Sequence, residues 1–466
     1  MALGPHEIQA VVEKVVARLG SDSSAERRPH GTGRGLYESV DGAVAAAEAA
    51  FHIYGTLGLE RRKTMIANVR RRCTEQVRYL SEAAVAETGL GRVTDKVQKN
   101  LLVINKTPGP EVLEPRCVTG DDGLTLTEWA PYGVIGSITP TTNPTETIIC
   151  NAIGMLAAGN TVVFNVHPAA KGVSATSVQI INDAIVEAGG PDDCLTMIAE
   201  PTIESAQALM KHPGVRLLVV TGGPAVVKAA MNSGKKVIAA GPGNPPAVVD
   251  ETANIEQAGK GIVAGASLDN NIVCIVEKEV LVVDSVANPL VEQMKRSGAV
   301  ELRGHQIRQL EQLVIKDGHA NKDWVGKDAK VIAEAMGLRL DGDPRLLIAQ
   351  VDFEHPFVQE ELLMPVVPVV RCKDVDDAIT KAVKAEHGFG HTATMWSTNI
   401  DRLHVMARVI NTSIYVKNAP SYAGLGMGGE GYTSFTIASP TGEGLTTALH
   451  FARERRCTLK DRFRIV

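Results

Sequence analysis

Aromatic side chains are scarce in this chain, 4% of its 466 residues, while alanine, valine, isoleucine and glycine are abundant. Small aliphatic side chains must therefore build the core, the profile of a parallel α/β enzyme. Paired cysteines are also lacking. The seven, at 73, 117, 150, 194, 274, 372 and 457, show no CxxC and no Cys/His ligand spacing. Neither a disulfide framework nor a metal site is supported, and a reducing, cytosolic setting is expected. No apolar run is long enough to span a membrane, and no signal peptide is evident. The net charge of −5 is mild and the basic residues are dispersed, which argues against a nucleic-acid partner. The length allows two or three domains.

What is present begins with an apolar stripe. Ile8, Val11, Val12, Val15, Val16 and Leu19 recur at helical spacing, which predicts a short amphipathic helix within residues 1–20. The polar, glycine-rich stretch 21–35 then reads as a flexible linker. A stripe on a tether must bury itself, either on its own body or on another protein.

From Leu36 the chain becomes regular. Helices are predicted over 38–55 and 60–88, and an extended arm over Leu124–Trp129. Short β-branched runs then alternate with helices. Strand 134–138 precedes a helix near 145–158, strand 161–166 one near 170–188, and strand 215–220 one at Pro224–Asn232. A second set of strands is predicted at 246–249, 274–283, 366–370, 392–397 and 413–417. Near-continuous apolar strands between helices predict doubly wound sheets.

Chemistry concentrates at Cys274, which ends the amide-rich segment Ser267-Leu268-Asp269-Asn270-Asn271-Ile272-Val273. A thiol there can attack a carbonyl, and Asn143, in the loop after strand 134–138, can hold the resulting oxyanion. The alternative is that Cys274 is simply a small buried hydrophobe. Two glycine-rich loops compete for a cofactor phosphate. Thr221-Gly222-Gly223-Pro224 follows a strand and opens a helix, offering free backbone N–H groups. Gly424-Leu425-Gly426-Met427-Gly428-Gly429 matches GxGxxG but lacks a following apolar helix, so the Thr221 loop is favoured. Cys150 and Cys372 read as core, and Glu277 and Glu279 as one strand face meeting solvent or a partner strand. Glycines between His387 and His391 favour a loop or strand-edge role over a metal pair. Lys171 is read as touching a phosphate or capping a helix.

The order of Asn143, the Thr221 turn, Cys274 and Glu360-Glu361-Leu362-Leu363-Met364-Pro365 resembles the aldehyde dehydrogenase superfamily, from residue 36 to the end. The resemblance implies two doubly wound α/β domains plus a β oligomerisation arm. It also implies a catalytic cysteine at Cys274, an oxyanion donor at Asn143 and a nicotinamide-ribose contact at Glu361. Thr141, His167, Pro168, Thr221, Gly222, Gly223 and Gly241 are the further candidate cofactor contacts. The departures are informative. Ala240-Gly241-Pro242-Gly243-Asn244 replaces the segment that carries the water-activating glutamate of hydrolytic members, so Ala240 stands where that base would be. His167-Pro168 replaces a Lys-Pro pair. Water attacks a thioester slowly without a positioned base, whereas a thiol needs far less help. The pattern is similar to the CoA-acylating aldehyde dehydrogenases, through segments 166–171, 241–246, 267–280 and 439–444.

The resemblance then implies a division into residues 36–116 with 131–245 (NAD and coenzyme A binding), 246–444 (the catalytic thiol), and 117–130 with 445–466 (the arm), in a homodimer or homotetramer. The tethered helix and Gly35-Leu36-Tyr37-Glu38-Ser39-Val40 are similar to the propionaldehyde dehydrogenases of bacterial microcompartments, where such a helix is an encapsulation peptide binding shell or core proteins. Propionaldehyde is the expected substrate, with an acetaldehyde-acting, ethanolamine-type relative as the alternative. Two rivals are a scaffold with a vestigial site and non-redox acyl transfer at Cys274. The second would need a histidine at the thiol; none is near it in sequence, although one distant in sequence could supply it.

Overall fold

The computed structural model describes residues 34–466. The helix expected over residues 1–20 and nearly all of the linker lie outside the described residues. The first sheet has six parallel strands, in the order Leu36–Tyr37, Leu195–Ile198, Thr161–Val166, Val134–Thr139, Val215–Thr221 and Lys236–Ala240. Every residue of its two central strands, 134–139 and 161–166, is buried. That burial explains why they read as continuous apolar runs rather than alternating ones. The second sheet has seven parallel strands, in the order Ala299–Leu302, Leu346–Gln350, Val366–Cys372, Glu279–Val283, Pro246–Val249, Thr392–Trp396 and Ile414–Lys417. A third, antiparallel sheet joins Arg116–Gly120 and Gly123–Pro131 to the C-terminal strand Ala452–Lys460. The fold is thus two Rossmann-like α/β units plus a β arm.

Several expectations need correction. The helix expected over 60–88 is two helices, Leu59–Glu75 and Val77–Thr88, separated at Gln76 (φ −102°, ψ 3°). The first packs against helices Pro144–Ala157 and Lys171–Glu187. The second packs against Val93–Lys106, a helix the sequence pattern did not reveal. The strand expected over 274–283 begins only at Glu279. Cys274 and Ile275 instead lie in a turn, and the buried Lys278 ammonium just beyond it donates back to the Asn271 carbonyl (2.7 Å) and the Val273 carbonyl (3.3 Å). Glu277 and Glu279 do not meet solvent, and both are fully buried. The Glu277 carboxylate accepts from the Ser421 backbone N–H (2.8 Å) and hydroxyl (2.9 Å). Cys150 and Cys372 are buried as expected. The Gly424–Gly429 segment begins inside the short 3-10 turn Ser421–Leu425, and the Lys106 ammonium donates to its Gly426 and Gly429 carbonyls.

Candidate active site

The strands of the first sheet end together, and their C-terminal edge is where an open α/β sheet offers a crevice. Strand 134–139 runs into the loop Pro140–Asn143. Asn143 is the N-cap residue of the next helix, with Pro144 at that helix's first position. Strand 215–221 runs through Gly222 to Gly223, the N-cap of helix Pro224–Met231. Ala240 ends strand 236–240. These edges face the loops of the second unit across a cleft of about 750 Å³. Asn143 and Cys274 both line it, as do Thr221, Gly222, Gly223, Ala240, Gly241 and Glu361.

Three predicted residues do not line the cleft. Thr141 sits between two loop residues that do, its hydroxyl buried without a hydrogen-bond partner. His167 and Pro168 follow strand 161–166 at the same sheet edge. His167 is exposed, and its Nδ1 accepts from the Ala169 backbone N–H at 3.2 Å. Lys171 begins its helix and pairs with Glu200 at 2.5 Å.

The thiol loop is unusual in its backbone. Asp269, Asn270 and Asn271 are three successive left-handed residues, with φ of 50°, 54° and 66°. Asparagine and aspartate tolerate that region better than other non-glycine residues, yet each still needs outside support. The support is visible. Asn271 Nδ2 donates to the Ala266 carbonyl (2.6 Å) and the Glu277 carbonyl (3.0 Å), and Asn270 Nδ2 to the Gly326 carbonyl (2.9 Å). The Asp269 backbone N–H donates to Asp95 (2.8 Å), and its carboxylate accepts from the Arg92 backbone N–H (2.7 Å). Gly91 is required there, because a Cβ at that position would stand 2.0 Å from Asp269 Oδ1.

Burial pushes the Cys274 thiol up to about 12, the nearby Glu361 charge adds to this, and Lys278 opposes it. Glu361 is itself raised by burial to about 7, with Lys278 pulling the other way. Its Oε1 is buried without a hydrogen-bond partner. The free site thus holds a protonated thiol beside a carboxyl that titrates near neutrality.

Sequence reasoning missed three features. Lys96 and Lys99, both fully buried, reach from helix Val93–Lys106 to the Asn143 loop. Lys278 braces the thiol turn from behind. His391 is also fully buried. A Cβ placed on Gly243 would lie 2.9 Å from both the Cys274 carbonyl oxygen and His391 Cγ, so the two residues flank that glycine. Burial, then Lys278, lowers His391 to about 4, which keeps the imidazole neutral, and its Nε2 has no hydrogen-bond partner. His387, by contrast, lies at the cleft wall with Nε2 3.1 Å from the Gln359 carbonyl. The histidines carried a sequence signal only as a pair with intervening glycines.

Residues 31–445 match the aldehyde dehydrogenase family. The chain belongs to that family. It is 50% identical to the acetylating acetaldehyde dehydrogenase of Escherichia coli, over 100% of both chains. It is 48% identical to a propionaldehyde dehydrogenase of Rhodopseudomonas palustris solved with bound CoA and an acylated cysteine. That match covers 92% of this chain and 98% of the other, with a TM-score of 0.90. A propionaldehyde dehydrogenase from the fucose utilisation bacterial microcompartment of Clostridium phytofermentans matches at 46% identity. It covers 93% of this chain and 100% of that one, with a TM-score of 0.92.

Proposed function

We propose that this dehydrogenase oxidises a short-chain aldehyde with NAD and passes the acyl group from Cys274 to coenzyme A. The observation that carries the reading is a cleft lined by both Cys274 and Asn143, with Ala240 also on its lining at the position where the resemblance puts the water-activating glutamate of hydrolytic members. The Cys274 thiol releases its proton to solvent through the open cleft, and Sγ adds to the aldehyde carbon. The developing oxyanion is received by the Asn143 amide and the Cys274 backbone N–H. NAD, when bound, supplies the acceptor for the aldehyde hydride, leaving a thioester on Cys274. The cleft fits such a group. The Glu361 Oε1 atom lacks a partner and suits a ribose hydroxyl, and a Cβ on Gly223 would meet nothing within 4 Å, so the helix start is open to a phosphate. Thr221, Gly222, Gly223, Gly241 and Glu361 form this cofactor wall, with Thr141, His167 and Pro168 further along the sheet edge. Coenzyme A thiolate then attacks the thioester, the same donors stabilise the second oxyanion, and Cys274 leaves as the thiolate.

Propionaldehyde is the first substrate reading, supported by the two propionaldehyde dehydrogenases above. Acetaldehyde is the second, supported by the acetylating relative at 50% identity. Residues 1–20 are proposed to carry the enzyme into a bacterial microcompartment by binding shell or core proteins. The arm is proposed to pair subunits into a homodimer or homotetramer. Among the described residues no helix is long and apolar enough to cross a membrane.

The test is NADH formation by the purified protein with propanal and NAD, with and without CoA. Sustained turnover only with CoA, giving propionyl-CoA, is expected. Equal steady turnover without CoA, giving propionate, would overturn acyl transfer to CoA. Comparing kcat/KM for propanal and acetaldehyde decides between the two substrates. Unchanged recruitment to microcompartments after deletion of residues 1–20 would reject the encapsulation role.

A further inference from the structure

We infer that Lys99 is a positioning residue that fixes the orientation of the Asn143 amide, and that Lys96, Lys99 and Asp269 together lock the Asn143 loop to the Cys274 loop. The inference rests on Asn143 being the oxyanion donor. An asparagine amide has two nearly isosteric ends of opposite character, so its catalytic value depends on which end faces the reacting carbonyl. Turned by half a rotation, Asn143 would present an oxygen to the oxyanion and repel it. Lys99 Nζ lies 2.6 Å from Asn143 Oδ1. An ammonium has three donors and no acceptor, so only the amide oxygen can face it. Nδ2 is thereby directed the other way. One of its N–H groups reaches the Thr142 hydroxyl at 3.1 Å, which leaves the second for the cleft that Asn143 lines.

The lysine is itself held. Its side chain is buried, with its ammonium 2.5 Å from Asp269 and 3.0 Å from Glu146. Lys96, three residues earlier on the same helix, donates to the Thr142 carbonyl (3.2 Å) and to Asp269 (3.0 Å). Two ammonium groups thus face two carboxylates in a site closed to water. Asp269 belongs to the left-handed run that leads to Cys274, and it contacts both lysines through the same oxygen. The two loops that must meet across the reacting carbonyl are therefore tied to one helix by charge-assisted bonds, the strongest kind available to side chains. A catalytic donor misplaced by an ångström loses much of its effect, which is the physical reason for such a brace.

The test is a double-mutant cycle on Lys99→Met and Asn143→Ala, read as the single-turnover rate of NADH formation without CoA, with melting temperature and aldehyde KM measured alongside. Asn143→Ala is expected to slow the step about 10²- to 10³-fold, the usual cost of one oxyanion donor. Lys99→Met is expected to slow it about 10- to 100-fold with KM changed little. The double variant should match Asn143→Ala within about a factor of two, because Lys99 has nothing left to orient. Effects that multiply would show that Lys99 acts independently of the amide, and would overturn the proposal while leaving the oxyanion role standing. A wild-type rate for Asn143→Ala would remove the oxyanion role and the proposal with it. If Lys99→Met does not fold, Lys99→Arg takes its place in the cycle, since it keeps the charge for Glu146 and Asp269 but alters the donor geometry. The same coupling then decides.

Discussion

Replacing Glu277 by Gln should make the protein more stable at alkaline pH and should remove part of its pH dependence. Glu277 is fully buried, and burial raises its carboxyl from the ordinary 4.5 to about 7 against the opposing hydrogen bonds from Ser421 and the pull of Lys278. A raised carboxyl means that the folded state binds the proton more tightly than the unfolded chain. Its stabilising contribution is therefore complete below about pH 4.5 and is lost as pH rises through 7. At about 1.4 kcal/mol per unit, a shift from 4.5 to about 7 corresponds to about 3 kcal/mol between those limits. Glutamine is nearly isosteric and never ionises. Its Oε1 still accepts from the Ser421 N–H, and the Ser421 hydroxyl can rotate to accept from Nε2. The assay is the melting temperature of both proteins from pH 5 to 8.5. The Glu277→Gln variant should melt above wild type at pH 8.5, with the gap closing or reversing by pH 5. Glu361 titrates in both proteins and cancels in the difference. A melting-temperature difference constant across that range would refute the assignment of a raised carboxyl to Glu277.

Three further outcomes are expected. Cys274→Ala should abolish NADH formation while leaving the melting temperature within a few degrees of wild type, and a wild-type rate would end the thiol assignment. In the free enzyme, alkylation of Cys274 by iodoacetamide, followed by mass spectrometry, should rise about tenfold per pH unit up to at least pH 10, because the half-buried thiol at the cleft lies near 12. A plateau with a midpoint below pH 8 would contradict this. Gly261→Ala, in helix Ile255–Ala266, should lower the melting temperature, because its Cβ would stand 2.2 Å from the buried Trp396 ring. Overpacking costs about 1–3 kcal/mol or more, which exceeds the roughly 1 kcal/mol gained in helix propensity.

Much of this fold was legible because apolar patterning reports burial directly. The runs at 134–138, 161–166 and 215–220 became strands of the first sheet, and Asn143, the Thr221 turn and Cys274 were found where those strands and the thiol loop meet. Short edge strands escaped. Ala299–Leu302 carries a glutamate in four residues, too little pattern to separate from a helix or a loop. The larger failures share one cause, an inverted polarity. Helix Val93–Lys106 buries Asp95, Lys96, Lys99 and Asn100, so the residues that pattern reasoning assigns to solvent form part of its inner face. Glu277 and Glu279 invert the rule in the same way next to the thiol. Buried charge is costly unless it is paired and hydrogen-bonded. Here the inverted residues gather around Asn143 and Cys274. Lys96, Lys99 and Asp269 bridge the two loops, and Glu277 sits just past the turn that Lys278 braces. The sequence is least readable where its side chains are placed to orient other side chains rather than to fill the core.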